Sequence, residues 1–551
     1  MVKGSSNKDS SINEQDYAPD KSSLATWCSY RNAVIIVLLV ALNGVSYGYE
    51  IGLVGGLLEA PSFRRDFHMP KEPKKLADEK GNIVVILLCG QILGGLISLF
   101  LPDWIGRRKA MIISTCTFLV GAVIQITCAI DGANGRAQLY VGRFIAGAGM
   151  GCNHTSVGTF IAEVSPRRIR GGLNGTFFMF VYLGTTCAFF ANFGVQKHYE
   201  SMKDVMNSAN WRIPTAFQVI PAGIALIGAM MSKETPRWFV LKGRWMEAKQ
   251  SSAFYLRQDL DSPEVEDLVM QIQKDINTTG KRTVKTVFKE ATRTKNDLLR
   301  FVVPSLAHLC AEWSGLISLA YYSPQIFKEL GVVGRSAGLF ATGIYGIVKT
   351  VTAVCALLFT VDRFGRKWPA VIGTLIQAFA MFFIAISGAA TQAPNESLRL
   401  ATISMIYVFT FGFCFGLAMV ISSITSEAPP TSLRVPSMGV SKIVASLSNL
   451  ALGKLTPIML LNIPNRGTFF IFGTFSLVAT LFTIFVVPET SNLPLEGITY
   501  VFERTPYMKN CVTDLSPRKR RETQRFVISK LADNDTAVKE KIQAMPGPLL
   551  L

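Results

Sequence analysis

Four ionisable residues interrupt stretches that are otherwise apolar: Glu50, Arg143, Glu312 and Lys349. Deep in an apolar phase each is costly unless paired or hydrated, which makes such residues functional candidates by default. Burial favours the protonated form of a carboxyl and a nearby guanidinium favours the anion, so moving an acid between those surroundings ties proton exchange to conformation. The plainer alternative is a static buried ion pair. A second set of charges is written twice. Asp103-Trp104-Ile105-Gly106-Arg107-Arg108-Lys109 returns as Asp362-Arg363-Phe364-Gly365-Arg366-Lys367. Glu163-Val164-Ser165-Pro166 with Arg170 is answered by Glu427-Ala428-Pro429-Pro430 with Arg434, at the same seven-residue step from acid to base. Glu234-Thr235-Pro236 near the middle is matched by Pro488-Glu489-Thr490 near the end. Three phrases in one order mark an internal duplication.

The elements that must position these charges follow from hydropathy. Of 551 residues, 49% are hydrophobic and 17% charged, too apolar for a soluble chain of this length. Apolar runs of about 20 residues, enough to cross a bilayer, begin near Ala33, Ile83, Met111, Tyr140, Leu173 and Trp211. A second set begins near Phe301, Gly338, Ala370, Thr402, Gly439 and Thr468. The expected fold is an all-α membrane protein: twelve transmembrane helices in two pseudo-symmetric six-helix bundles, 33–232 and 300–488. Residues 1–32 read as a disordered tail, 233–299 as a linker of short amphipathic helices and 489–551 as a polar, basic tail. The first run follows a polar lead without a cleavage pattern, so it reads as a span and not a signal peptide. Two related halves around a central site are the construction of a secondary transporter.

An even number of spans puts both termini on one side, and charge selects it. The net +18 is gathered in short clusters at span ends and in the tail. Excess Lys and Arg mark cytosolic loops, so both termini and the linker are expected in the cytosol, with the plasma membrane as the expected location. The segment from Ser62 to Lys80 dissents, with six Lys/Arg against four acids on the expected outer side. The basic excess is a topology signal and not a nucleic-acid surface; the bilayer, a small polar solute and protons are the expected partners. Cys89, Cys116, Cys128, Cys152, Cys187, Cys310, Cys355 and Cys414 lie in apolar runs without metal-ligand spacing and read as small buried hydrophobes. Asn395-Glu396-Ser397 is a glycosylation sequon in an expected outer loop. No nucleophile–base pair, metal cluster or phosphate-cradling loop has usable spacing, so neither an enzyme nor a cofactor is expected. Energy must then come from an ion gradient or the solute's own gradient.

The repeated charges suit a gate. Asp103, Arg107, Arg108, Glu163 and Arg170, with Asp362, Arg366, Glu427 and Arg434, combine carboxylates with planar guanidinium forks. Pairs linking cytosolic helix ends of opposite halves would latch the inner side in one state and release it in another. Topology charge alone is the alternative for any single cluster.

Several phrases carry a resemblance. Tyr49-Glu50-Ile51-Gly52 with Gly55-Gly56, Gly142-Arg143-Phe144, Trp211-Arg212-Ile213-Pro214 with Gln218, Pro236-Arg237-Trp238 and Tyr321-Tyr322-Ser323-Pro324 join the duplicated phrases above. Together they resemble the sugar porter family of the major facilitator superfamily, from about Gly48 to Ile498. Tyr322-Ser323-Pro324-Gln325-Ile326-Phe327 and Gly346-Ile347-Val348-Lys349 are similar to fungal members, hexose and quinate carriers among them.

The resemblance implies proton coupling. Glu50 takes the place of an aspartate that, in proton-coupled members, works with the arginine matching Arg143. The resemblance also implies a sugar pocket, and there the chain departs. Hexose-binding members carry a glutamine pair before the seventh-span glycine and an asparagine after it. Counted from Gly315, those places hold Ala311, Glu312 and Ile317. The fifth-span glutamine is Phe178 and the tenth-span tryptophan is Ser422. Gln218 and Asn192 remain as amides, and Trp313, Tyr321 and Tyr322 offer aromatic faces. The expected function is alternating-access transport of a sugar or sugar-like polar molecule, coupled to protons. Quinate-type uptake, efflux of a secondary metabolite and a non-transporting sugar receptor are the alternatives.

Overall fold

Among the described residues twelve long helices build the molecule, because a backbone surrounded by lipid has to satisfy its own hydrogen bonds. They are α1 (Arg31–Glu59), α2 (Pro73–Ile97), α3 (Arg107–Thr127), α4 (Gly135–Val164), α5 (Arg170–Ser201) and α6 (Ala209–Met231). The second half holds α7 (Lys295–Glu329), α8 (Arg335–Cys355), α9 (Lys367–Ala390), α10 (Glu396–Gly412, continued through a π turn into Ala418–Glu427), α11 (Arg434–Asn462) and α12 (Gly467–Phe485). The structure, a computed structural model, describes residues 28–129, 135–166, 169–279, 284–332, 334–356, 366–390, 395–430, 433–463, 467–489, 498–503, 507–513, 522–523 and 526. Eleven helices among the described residues are long and apolar enough to cross a membrane. The twelfth, α4, carries Arg136, Arg143, Asn153, His154 and Glu163 and is correspondingly more polar.

Within the first half, α1 packs along α5, α4 lies against both α2 and α3, and α6 covers α1. In the second half, α7 packs on α11, and α9 on α10 and α12. The halves meet where α2 faces α11, α5 faces α8 and α1 faces α7. Small residues set the approach inside a half. Gly44, Gly48, Gly52 and Gly56 recur every fourth residue on α1, so they form one stripe, and α5 lies directly on it. A methyl at Gly48 would overlap the carbonyl of Val181. Gly315 has a different task. Its φ of 103° is in the left-handed region, where it forms the kink of a π turn (Glu312–Leu316) in α7, and a Cβ there would meet Phe472 at 2.9 Å.

Two polar stretches are more integrated than their composition suggests. In the linker, Pro236–Leu241, Trp245–Leu256 and Pro263–Thr279 share a small core of Val240, Ala248 and Val269. That core is docked on the first half: Tyr255 stacks edge-on against Phe160, and Asn32 donates to the Phe254 carbonyl at 3.1 Å. The tail after 488 is not wholly detached either. Short helices Ile498–Glu503 and Tyr507–Thr513 bury Phe502 and Cys511 against the second half, with Arg300 over the Phe502 ring. Three cysteines expected to be buried, Cys116, Cys187 and Cys355, lie on exposed helix faces instead. Residues 1–27 lie outside the described residues.

The stripe makes a matched test. Gly48→Ala should cost about 1–3 kcal/mol of stability, the usual penalty for overpacking. Gly158→Ala, whose added methyl meets open space, should melt at or slightly above the native temperature, since alanine is the better helix former. Indistinguishable melting curves for the two variants in detergent would remove the close-approach account.

Candidate functional site

The three duplicated phrases converge at the end where the chain enters and leaves the bundle. In the first half, Arg107 starts α3 beside the end of α4. Its guanidinium donates to Glu163 at 3.1 Å and pairs with Asp103 at 2.7 Å. Glu163 also accepts from the Thr235 hydroxyl at 2.6 Å. Glu234 receives the backbone N–H of Arg108 at 3.1 Å, while the Arg108 guanidinium donates to the Met230 carbonyl at 2.6 Å. Burial raises the Glu234 carboxyl above its ordinary range, although the amides of Arg108, Thr235 and Arg107 favour the anion. The second half repeats the pattern. Arg366 pairs with Glu427, and Glu489 accepts from the backbone N–H groups of Arg366 and Lys367 at 3.1 and 3.3 Å.

These contacts bind segments of one half to each other, which differs from the expected latch between halves. The physical reason is the packing: α3 lies along α4, so Arg107 and Glu163 are neighbours before the other half is reached. Arg434 opens α11 and is half-buried. Asp362 lies outside the described residues, as do the side chains of Arg170 and Ser422.

Several polar links across the halves lie at the opposite end. Lys80 bonds Glu59 at 2.7 Å and Gln325 at 3.2 Å; Lys454 reaches Asp78 and Asn82, both at 2.5 Å; Ser336 donates to Glu200. The same region accounts for the dissenting basic loop. Arg64, Arg65, Lys75 and Lys80 are paired with Glu59, Asp66 and Glu72, so much of its positive charge is cancelled locally.

Deep between the ends, Glu50 and Arg143 come together. Arg143 Nη1 donates to Glu50 Oε1 at 3.1 Å, and its Nε donates to the Ile83 carbonyl at 2.7 Å. Both side chains are at most 1% exposed. Among the described residues Glu50 Oε2 and Arg143 Nη2 have no hydrogen-bond partner, and Tyr321 and Tyr322 of the other half interact electrostatically with the guanidinium. A buried pair held by one bond is weakly satisfied compared with a bidentate one.

The expected substrate residues divide. Gln218 is wholly buried, and among the described residues neither of its amide atoms is hydrogen-bonded. Asn192 instead clamps α5 to α1, donating to the Leu53 carbonyl at 3.2 Å. Tyr322 donates to the Gly453 carbonyl at 2.6 Å, Tyr321 is buried, and Trp313 packs on Phe475 of α12. Phe178 is 48% exposed and stands edge-on to His154. Glu312 sits on the π turn of α7 with Oε2 buried and unbonded. Lys349 lies over the Tyr182 ring at 4.9 Å. Two residues were absent from the sequence reading: His154 of α4 and Lys442 of α11, whose side-chain nitrogens approach to 3.3 Å. The signal was available, since Lys442 is a charge set within an apolar run. His154 also borders a small cavity in the first half, lined by Asn43, Ser46, Tyr47, Phe118, Met150, Asn153 and Phe177.

The entry-end clusters predict graded effects. Arg107→Ala strands Glu163, and Arg366→Ala strands Glu427, at a cost of about 1–3 kcal/mol for pairs between surface and core. Both variants should still insert into membranes but turn over more slowly, with Arg107→Ala the more damaging because its side chain is 7% exposed against 22% for Arg366. Native melting and turnover in both would show that the clusters serve topology alone.

Comparison with known proteins places this architecture. Residues 36–502 match the family described as sugar (and other) transporters. A quinate permease of Neurospora terricola is 29% identical over 503 residues, covering 89% of this chain and 91% of its own. A probable quinate permease of Neosartorya fischeri is 27% identical, covering 92% and 93%. The xylose transporter of E. coli, in a partially occluded inward-open conformation, superposes with a TM-score of 0.70 at 22% identity, over 84% of this chain and 99% of that one. The chain belongs to the sugar transporter family of the major facilitator superfamily, and it is a multi-pass membrane transporter rather than an enzyme.

Proposed function

We propose that this transporter is a proton-coupled carrier that moves a sugar-sized polyhydroxy compound by alternating access, with both termini in the cytosol and the plasma membrane as its location. The observation that carries the reading is the interior pair, in which Glu50 and Arg143 share one 3.1 Å hydrogen bond and each keeps a polar atom unbonded. Protonating Glu50 turns an ion pair into a charge–dipole contact and weakens its hold on Arg143. The guanidinium, which interacts electrostatically with Tyr321 and Tyr322 of the other half, then has reason to shift, and the balance between the halves shifts with it.

The orientation rests on the basic clusters at the entry end. In that orientation Asn395, exposed at the start of α10, faces outward as a glycan acceptor. The cross-half contacts of Lys80, Lys454 and Ser336 then close the outer side, which corresponds to an inward-facing state. Gln218 is the best-placed amide for substrate hydroxyls, with Phe178 as an apolar wall. Asp103, Arg107, Arg108, Glu163, Arg366 and Glu427 act in gating by keeping each half rigid as it rocks. A quinate-type acid is the second reading of the substrate, favoured by the relatives' names.

In vesicles with an imposed pH gradient, Glu50→Gln should abolish concentrative uptake, a loss of about tenfold or more, while exchange of substrate down its own gradient survives. If the native protein itself ignores the pH gradient, it is a facilitator and the pair is structural.

A further inference from the structure

We propose that Lys442 and His154, facing each other across the two halves with Glu312 nearby, form the anchor for a substrate carboxylate. This rests on the transporter reading above and narrows its substrate to a polyhydroxy acid.

Geometry comes first. Lys442 Nζ lies 3.3 Å from His154 Nε2, joining α11 of one half to α4 of the other. Both residues are half-buried, so the ammonium is neither in bulk water nor sealed in packing. Glu312 interacts electrostatically with Lys442 and Lys349, yet among the described residues no salt bridge joins it to either. Lys349 is already accommodated by the faces of Tyr182 and Tyr345. Among the described residues the hydrogen-bond partner of Lys442 is the histidine nitrogen, and a neutral imidazole does not cancel a charge.

Counting charge gives the ligand's sign. Glu50 and Arg143 cancel. Glu312 against Lys349 and Lys442 leaves one positive charge in the apolar interior, a costly surplus. One substrate carboxylate would neutralise it, and a neutral sugar would not. The flank of the anchor is aromatic: Tyr47, Phe177 and Phe178 pack their rings against His154 at centroid distances of 5.5, 5.4 and 6.2 Å. Because the two anchoring residues belong to different halves, a bound acid would also draw the halves together.

The test compares quinate, a cyclic polyhydroxy carboxylate, with its neutral methyl ester, using ligand-induced thermal stabilisation of the purified full-length protein in detergent. The native protein should bind the acid about tenfold or more tightly than the ester, as expected for a partly buried charge pair. Lys442→Gln should erase that preference, Lys442→Arg should keep most of it, and Glu312→Gln should widen it by removing the competing anion. If Lys442→Gln proves unstable, the native ratio and Glu312→Gln decide. Equal affinity for acid and ester, or a preference untouched by Lys442→Gln, overturns the anchor. Binding of neutral sugars without acids removes this site but leaves a transporter. Failure to take up either class in vesicles under a pH gradient would remove both readings.

Discussion

A charge in an apolar interior has to be balanced close by, and the way this protein meets that constraint differs between its ends and its centre. At the entry end Glu163 and Glu489 are each held from more than one side. Glu163 takes Arg107 and Thr235, while Glu489 takes two backbone amides and Glu427 takes Arg366. Such sites have little reason to change. At the centre, Glu50 and Arg143 are held by one mutual bond, and Glu312 faces two lysines without a salt bridge among the described residues. These are the places where adding a proton or a solute changes the balance most, because low dielectric magnifies each unit of charge.

The packing follows the same division. Inside the first half, the glycine stripe of α1 brings backbones into direct contact with α5, and such contacts favour motion as a unit. Between halves, the approach is made by larger groups: Tyr321 and Pro324 against Gly55, and Phe190 against Gly343. The π turns at Glu312–Leu316 in α7 and Phe413–Leu417 in α10 interrupt helices of the second half. Interruptions of this kind are where a helix can bend without losing its neighbours. Two firm halves with a loosely balanced centre are what alternating access requires.

Much of this was legible from residue order. The duplicated phrases converge into matching clusters because a duplicated helix pair recreates the same corner. Their partners were harder to read: spacing shows that Arg107 and Glu163 belong together, but only packing shows that they do so within a half. The Glu50–Arg143 pair needed the family resemblance, since its two residues are far apart in sequence. His154 and Lys442 are not legible as a pair, because 288 residues separate them and only the packing of α11 on the first half brings them together. The tail helices escaped because a polar, basic stretch can still contribute a few buried residues, such as Phe502 and Cys511. The basic loop on the far side misled for a related reason, since its charges are paired and the topology rule counts only residues.

The central claim is that the interior conserves charge: a proton on Glu50 and an anionic solute beside Lys442 move together as a neutral load. The most direct measurement is quinate uptake into proteoliposomes with the membrane potential clamped by a potassium ionophore while the pH gradient is varied independently. The account predicts uptake that follows the pH gradient and is indifferent to the potential. Uptake driven by the potential and unaffected by the pH gradient would contradict it.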